Sequence, residues 1–212
     1  MVTRDDPPSA SGPGRGAQGD RRARLVEAAV DHVAAHGMAD LSLRRLGSAI
    51  GVSHRMLIHY FGSKEQLLVE IVRASERRQR ALLSRLRAEP GVSPADVARR
   101  LWRQLTDPGL AGQERLFFEI CGQALRGRPE AAPVLEGLVG DWLEPLVRAE
   151  AEAGASPDEA RSRARLGLAT VRGLLFDLLA TGDRAGVDSA MEEFLRLYYG
   201  PGAGGQAFSD GG

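Results

Sequence analysis

The stretch Ser42–Lys64, SLRRLGSAIGVSHRMLIHYFGSK, constrains this chain more tightly than any other. Leu43, Leu46, Ala49 and Ile50 recur at helical spacing and give a first helix one apolar face. Gly51 stands where the chain must reverse sharply, and glycine meets positive φ there without steric cost. Ser53 is a good N-cap for a second helix, which carries Leu57 and Phe61 inward. His54, Arg55, Met56, His59 and Tyr60 are left facing out. Two short helices at a steep angle, the second presenting hydrogen-bond donors, describe a helix-turn-helix, the unit that lays one helix in the major groove of DNA.

The charge distribution agrees with a DNA-facing module at one end. The formal charge of the 212 residues is zero. Residues 1–64 nevertheless hold 9 Lys+Arg against 6 Asp+Glu, and residues 65–212 hold 19 against 22. All four histidines, His32, His36, His54 and His59, fall in the basic part. A basic module on an acidic remainder fits one nucleic-acid face better than a uniformly basic binder. Cys121 is the only cysteine, so no intramolecular disulfide forms and a reducing, cytoplasmic setting is expected. No run of 18 apolar residues implies a membrane span, and the polar N-terminus lacks the apolar core of a signal peptide.

The rest of the chain reads as helix. A first helix is expected over about Asp20–His36, with Leu25, Ala28, Ala29 and Val33 on one stripe and Gly37 as its stop. Ser63 to Gln66 reads as a capping box opening a fourth helix that runs to about Ala88. Pro90-Gly91 breaks it, Ser93-Pro94 starts a fifth and Pro108-Gly109 ends that one. A sixth covers roughly Gln113–Arg126, and a seventh about Glu130–Ala153 with Pro145 as a kink or break. Ser156 to Glu159 opens an eighth running to about Thr181, and a ninth covers about Arg184–Tyr199. The expectation is an all-α chain of about nine helices: a tail over 1–18, a helix-turn-helix domain over 19–64, a helical regulatory and dimerisation domain over 65–199, and a tail over 200–212. Both tails are rich in glycine, proline and polar residues, which favours disorder.

The pattern LVEAAVDHVAAHG, then LSLRRLGSAIGVS, then LIHYFGSKEQLL resembles the TetR family of bacterial transcriptional regulators over about Arg22–Leu68. Its most specific part is the run Tyr60-Phe61-Gly62-Ser63-Lys64-Glu65 followed by Leu67-Leu68. The resemblance implies a dimeric regulator, by default a repressor, that binds a palindromic operator in double-stranded DNA and is released by a small-molecule effector. Lys64, the only lysine, matches the family's backbone-contacting lysine at the start of the fourth helix. Two positions depart from the pattern: Ile58 stands where tyrosine is frequent and Met56 where threonine is, so two hydroxyl contacts to phosphate are in question. Met56 is open to two readings, contact with a thymine methyl or a place in the motif's own core; Ile58 shares the second.

Phosphate contacts are expected from Ser42, Ser53 and Ser63 at three helix starts, with Arg44, Arg45, Tyr60 and Lys64 beside them. Base readout falls to His54 and Arg55, with His59 at the far end, since arginine bidentate to guanine is the commonest specific contact. His32 and His36 lie one turn apart without a third ligand nearby, so no metal and no cofactor is expected. The resemblance implies that helices 8 and 9 form the dimer surface, through Leu168, Val171, Leu174, Leu175, Leu178, Met191, Phe194, Leu195 and Tyr198. It likewise implies a ligand cavity among helices 4 to 7, with Trp102, Leu105, Phe117, Phe118, Cys121, Leu125, Trp142, Leu146 and Phe176 as candidate lining. With no histidine and few buried charges foreseen there, an apolar or aromatic ligand is expected. An enzyme is not: the larger domain has no metal-spaced His/Glu set, phosphate loop or nucleophile elbow. A helical domain holding a protein partner instead of a small molecule is the competing reading. Preference for arginine over lysine, with many Ala and Gly, points to a GC-rich bacterial genome.

Overall fold

A computed structural model describes residues 14–37 and 41–200, with side chains from residue 17 onward. Among the described residues there are nine α-helices, two short 3-10 turns and no strand. The helices are α1 Gly14–His36, α2 Leu43–Ala49, α3 His54–Phe61, α4 Lys64–Ala88, α5 Pro94–Leu105, α6 Ala111–Leu125, α7 Gly140–Glu152, α8 Pro157–Thr181 and α9 Arg184–Tyr199. The 3-10 turns are Pro108–Leu110 and Ala132–Leu135.

Two expected boundaries move. The N-terminal tail expected over 1–18 falls outside the described residues up to 13, but α1 begins at Gly14 and takes in the remainder. The C-terminal tail lies outside the described residues beyond Gly200. The seventh helix does not start near Glu130. Its first part is the 3-10 turn, and Gly137 then takes φ +72°, a conformation that ends any helix before Gly140. Pro145 sits inside α7 without breaking it.

The helix-turn-helix is built by local chemistry. Ser42 and Ser53 cap α2 and α3, each accepting a hydrogen bond from the backbone N–H three residues on (both 3.2 Å). Gly51 takes φ +73° between them. A second glycine matters as much. A Cβ on Gly47 would lie 2.6 Å from the Val52 carbonyl oxygen and 3.4 Å from the His54 backbone nitrogen, so α2 can meet the turn this closely only through glycine.

One apolar core runs through α1, α2, α3 and the first half of α4, and it continues into α6. Leu116, Phe117, Ile120 and Cys121 of α6 belong to the same cluster as Leu46, Leu57 and Phe61 of the motif. The expected division at residue 64 is therefore no break in packing. Gly112 of α6 seats on Gly37, where a Cβ would come within 2.5 Å of the Gly37 Cα. Arg78 of α4 ties back to α1, bonding Glu27 (2.7 Å) and Asp31 (2.6 Å). Two further clusters lie in the larger half, one among α4, α5, α7 and α8, the other among α5, α8 and α9.

Gly47→Ala is expected to destabilise the chain by about 1–3 kcal/mol, the usual cost of overpacking a tight contact. Thermal unfolding measures this, and DNA binding should weaken with it because α3 is displaced.

Candidate functional site: a nucleic-acid face and a buried cavity

The exposed side of α3 carries His54, Arg55 and His59, and the start of α2 adds Ser42, Arg44 and Arg45, all exposed. Ser53 is exposed and Ser63 half-buried. Ser63 accepts from the Gln66 N–H (3.1 Å), completing the forward half of the expected capping box. The reciprocal bond is not formed; the Gln66 amide oxygen instead lies over Gly62, where a Cβ would collide with it. Lys64 is half-buried at the first position of α4. α2, α3 and α4 each start with a serine cap, and a helix N-terminus with cations beside it is an arrangement that can grip phosphate.

Tyr60 is half-buried against the core, with the His59 ring edge-on at 5.4 Å. Arg22 of α1 donates to the Tyr60 carbonyl (3.4 Å), pairs with Glu70 (3.2 Å) and stands over the Phe61 ring (5.2 Å). Of the two departures from the family pattern, Ile58 is exposed and takes no place in the motif's core. Met56 is half-buried, and its sulfur accepts from the Arg21 guanidinium at 3.4 Å. Arg21 was not foreseen as a neighbour of the recognition helix. Its signal was the RRAR run in α1, legible as basic but not as near α3. His32 and His36 stack on each other with ring centres 4.4 Å apart. Burial, and then repulsion from His36, hold the His32 imidazole below its ordinary pKa. Among the described residues no group of three or more His, Cys, Asp and Glu is placed to hold a metal.

A cavity of about 470 Å³ opens among α4 to α9. Trp102, Leu105, Phe117, Trp142 and Leu146 line it as expected. Four other expected residues do not. Cys121 belongs to the N-terminal core, where burial pushes its thiol up to about 11. Leu125 is 77% exposed at the end of α6. Phe118 and Phe176 pair edge to face (5.4 Å) away from the cavity. The expected dimer residues are redistributed as well. Leu168, Val171, Leu175, Met191, Phe194 and Tyr198 line the cavity, and Leu195 is wholly buried. Only Leu174 and Leu178 lie off the wall and half-buried. The apolar stripes of α8 and α9 turn inward, onto α5 and the cavity.

The wall is more charged than the sequence implied, since Glu76, Glu114 and Glu150 are all buried on it. Glu76 of α4 accepts from the Trp142 indole (2.7 Å) and pairs with Arg172 of α8 (3.2 Å), which also donates to the Leu138 carbonyl (2.9 Å). Glu150 of α7 accepts from the Tyr198 hydroxyl (3.0 Å) and pairs with Arg163 (3.1 Å). Glu114 of α6 accepts from the Gln79 amide at 2.6 Å. Burial, and then repulsion from Glu76, push its carboxyl up to about 8, so near neutrality it is mostly protonated. Burial likewise raises Glu76, against the pull of Arg172 and Trp142.

The fold and the face define a helix-turn-helix DNA-binding regulator carrying a larger helical half. The comparisons make the class specific. The model for bacterial regulatory proteins of the tetR family matches residues 25–71. The HTH-type transcriptional regulator BetI of Ectopseudomonas mendocina is 30% identical over 170 residues, spanning 64% of this chain and 87% of that protein. The BetI of Stenotrophomonas maltophilia is 28% identical over 164 residues, 62% of this chain and 84% of its own length. Among solved structures, a transcriptional regulator from Rhodococcus sp. RHA1 superposes with a TM-score of 0.65 at 24% identity, covering 84% of this chain and 95% of that one. A regulator from Saccharomonospora viridis, solved in complex with choline, superposes with a TM-score of 0.59 at 22% identity, covering 85% and 95%. The chain belongs to the TetR family of bacterial transcriptional regulators: it binds DNA and is not an enzyme.

A raised carboxyl pKa has a direct consequence for stability. Between the ordinary Glu value and about 8, the folded chain holds a proton on Glu114 that the unfolded chain has lost. Stability therefore falls as pH rises through that window and levels off above it. Glu114→Gln is expected to remove much of this decline and to exceed the parent by at least about 1 kcal/mol at pH 8, since one pKa unit is worth about 1.4 kcal/mol. Thermal unfolding from pH 5 to 9 measures it.

Proposed function

We propose that this regulator is a homodimeric repressor that sits on a palindromic operator and is released when a small molecule fills the α4–α9 cavity. The observation that carries the reading is the double role of α4. Its first residue, Lys64, stands on the DNA face directly after the recognition helix, while Glu76, Gln79, Leu83 and Arg87 of the same helix line the cavity. A ligand that favours one placement of α4 therefore favours one placement of α3, which is a shift between DNA-competent and released states. The cavity, mostly apolar and large enough for a small molecule, supports a ligand over a protein partner. That a regulator of the same fold was solved with choline is a further support. On the DNA side, Ser42, Ser53, Ser63, Arg44, Arg45, Tyr60 and Lys64 would hold phosphates, while His54, Arg55 and His59 would read base edges. The exposed Ile58 and the Arg21-flanked Met56 extend that face.

The dimer surface we propose is the outer side of α8 and α9. Leu166, Ala169, Gly173, Phe176 and Ala180 recur at helical spacing and are all exposed on α8, with Ala190 and the exposed Leu197 on α9. Gly173 has nothing within 4 Å of where its Cβ would lie, so a second helix can approach closely there. Leu174 and Leu178 flank this stripe.

Selection from random duplex DNA at moderate salt is expected to enrich an inverted repeat, and Arg55→Ala to relax one symmetric pair of positions at about 1–3 kcal/mol each. Binding without enrichment would contradict base readout. Phe176→Arg is expected to convert the dimer to monomer in sedimentation and to lose inverted-repeat binding while each subunit stays folded; an unchanged dimer would place the interface elsewhere.

A further inference from the structure

The charges on the cavity wall come out one short. Every arginine there already has a carboxylate: Arg172 holds Glu76 (3.2 Å), Arg163 holds Glu150 (3.1 Å) and Arg87 holds Glu152 (3.4 Å). The fourth carboxyl, Glu114, is 97% buried yet pairs with no cation. Its partners are uncharged, the amides of Gln79 and Gln113. An acid this deeply buried without a counter-ion is a cost to the fold. An incoming anion would have to displace one of three formed pairs, and a neutral ligand would leave Glu114 as it is. A cation completes the set. The aromatic lining points the same way. Phe117 lies one helical turn from Glu114 and already carries the Arg172 guanidinium over its ring at 5.3 Å, and Tyr198 carries Arg163 at 5.2 Å. Trp102 and Trp142 supply further π faces, the best partners for an onium group.

We propose that the cavity takes an organic monocation, an ammonium carrying an apolar body, with Glu114 as its counter-ion and the wall's aromatic rings around its charge. The assignment rests on the effector reading above and replaces a purely apolar ligand with a charged one. It also links binding to a proton. The charged groups acting on Glu114 are Glu76 from α4 and Arg172 from α8, and the balance of these with burial leaves it protonated in the empty cavity. A bound cation draws that proton off to solvent, so binding should tighten as pH rises toward 8 and beyond.

The test uses the full chain and its own fluorescence, because both tryptophans, Trp102 and Trp142, lie in the wall. Benzyltrimethylammonium is titrated against its uncharged isostere neopentylbenzene, in the parent and in Glu114→Gln, at pH 6 and pH 9. The parent is expected to prefer the cation by about tenfold or more, and the preference to grow from pH 6 to pH 9. In Glu114→Gln the two ligands should bind within about twofold of each other at both pH values. The readout is a ratio within each protein, so a general loosening of the variant would move both ligands together and leave it unchanged. Equal binding of both ligands by the parent, binding of neither, or an undiminished preference in Glu114→Gln would each overturn the assignment. Operator release is measured in parallel and separates the two claims. A cation that binds through Glu114 without releasing DNA supports the site and contradicts the effector reading. Release by neopentylbenzene with no preference for the cation does the reverse.

Discussion

The carboxylate of Glu76, held in the middle of α4 by the Trp142 indole and the Arg172 guanidinium, is the contact on which the two halves of this regulator depend. It pins α4 to α7 and α8 from inside the cavity. Two residues on, Arg78 pins the same helix to α1 through Glu27 and Asp31. α4 is thus clamped from both sides, to the larger helical half by one carboxylate and to the DNA-binding half by one guanidinium. A rigid helix with few ways to relieve strain transmits a small displacement along its length instead of absorbing it. In the proposed mechanism the N-terminal core, which runs on into α6 through Phe117, Ile120 and Cys121, gives such a displacement a second route to the recognition helix.

Burying charge at this point is expensive, and the structure shows where the expense is offset. Glu76 and Glu150 each have both a guanidinium and a neutral donor. Glu114 has only amides and holds its proton instead. An apolar residue of similar shape would stabilise the fold better; under the proposal above, the cost of the buried acid is returned when a cationic ligand binds.

The parts legible in the sequence were those set by neighbours a few residues apart. Ser42, Ser53 and Ser63 cap helices through bonds that span three residues, and Gly51 turns the chain between them, so the helix-turn-helix could be placed without any tertiary information. The cavity was only partly legible. Trp102, Phe117 and Trp142 were found because large apolar side chains are seldom left outside, but Leu125 and Phe176 obey the same rule on paper and are exposed. Glu76 and Gln79 lie in SERRQR, which reads as a solvated charged face until α7 and α8 are known to close over it. On α8 the apolar stripe faces the cavity, leaving Ala169 and Gly173 with Phe176 outside. Periodicity gives a helix its faces; it does not say which face meets which neighbour. Gly47 and Gly112 escaped notice for a related reason, since what each glycine permits is an approach by backbone distant in sequence or reversed in direction.

The claim that α4 carries cavity occupancy to the DNA face is tested most directly by a distance. Glu65 is exposed in the first turn of α4, next to the recognition helix, and the lone native cysteine is buried. A spin label on Glu65→Cys in a Cys121→Ser background reports the separation of the two α4 starts across the dimer. Benzyltrimethylammonium, added until tryptophan fluorescence shows the cavity filled, is predicted to shift that distance distribution to a new maximum. An unchanged distribution with the cavity demonstrably occupied would contradict the account.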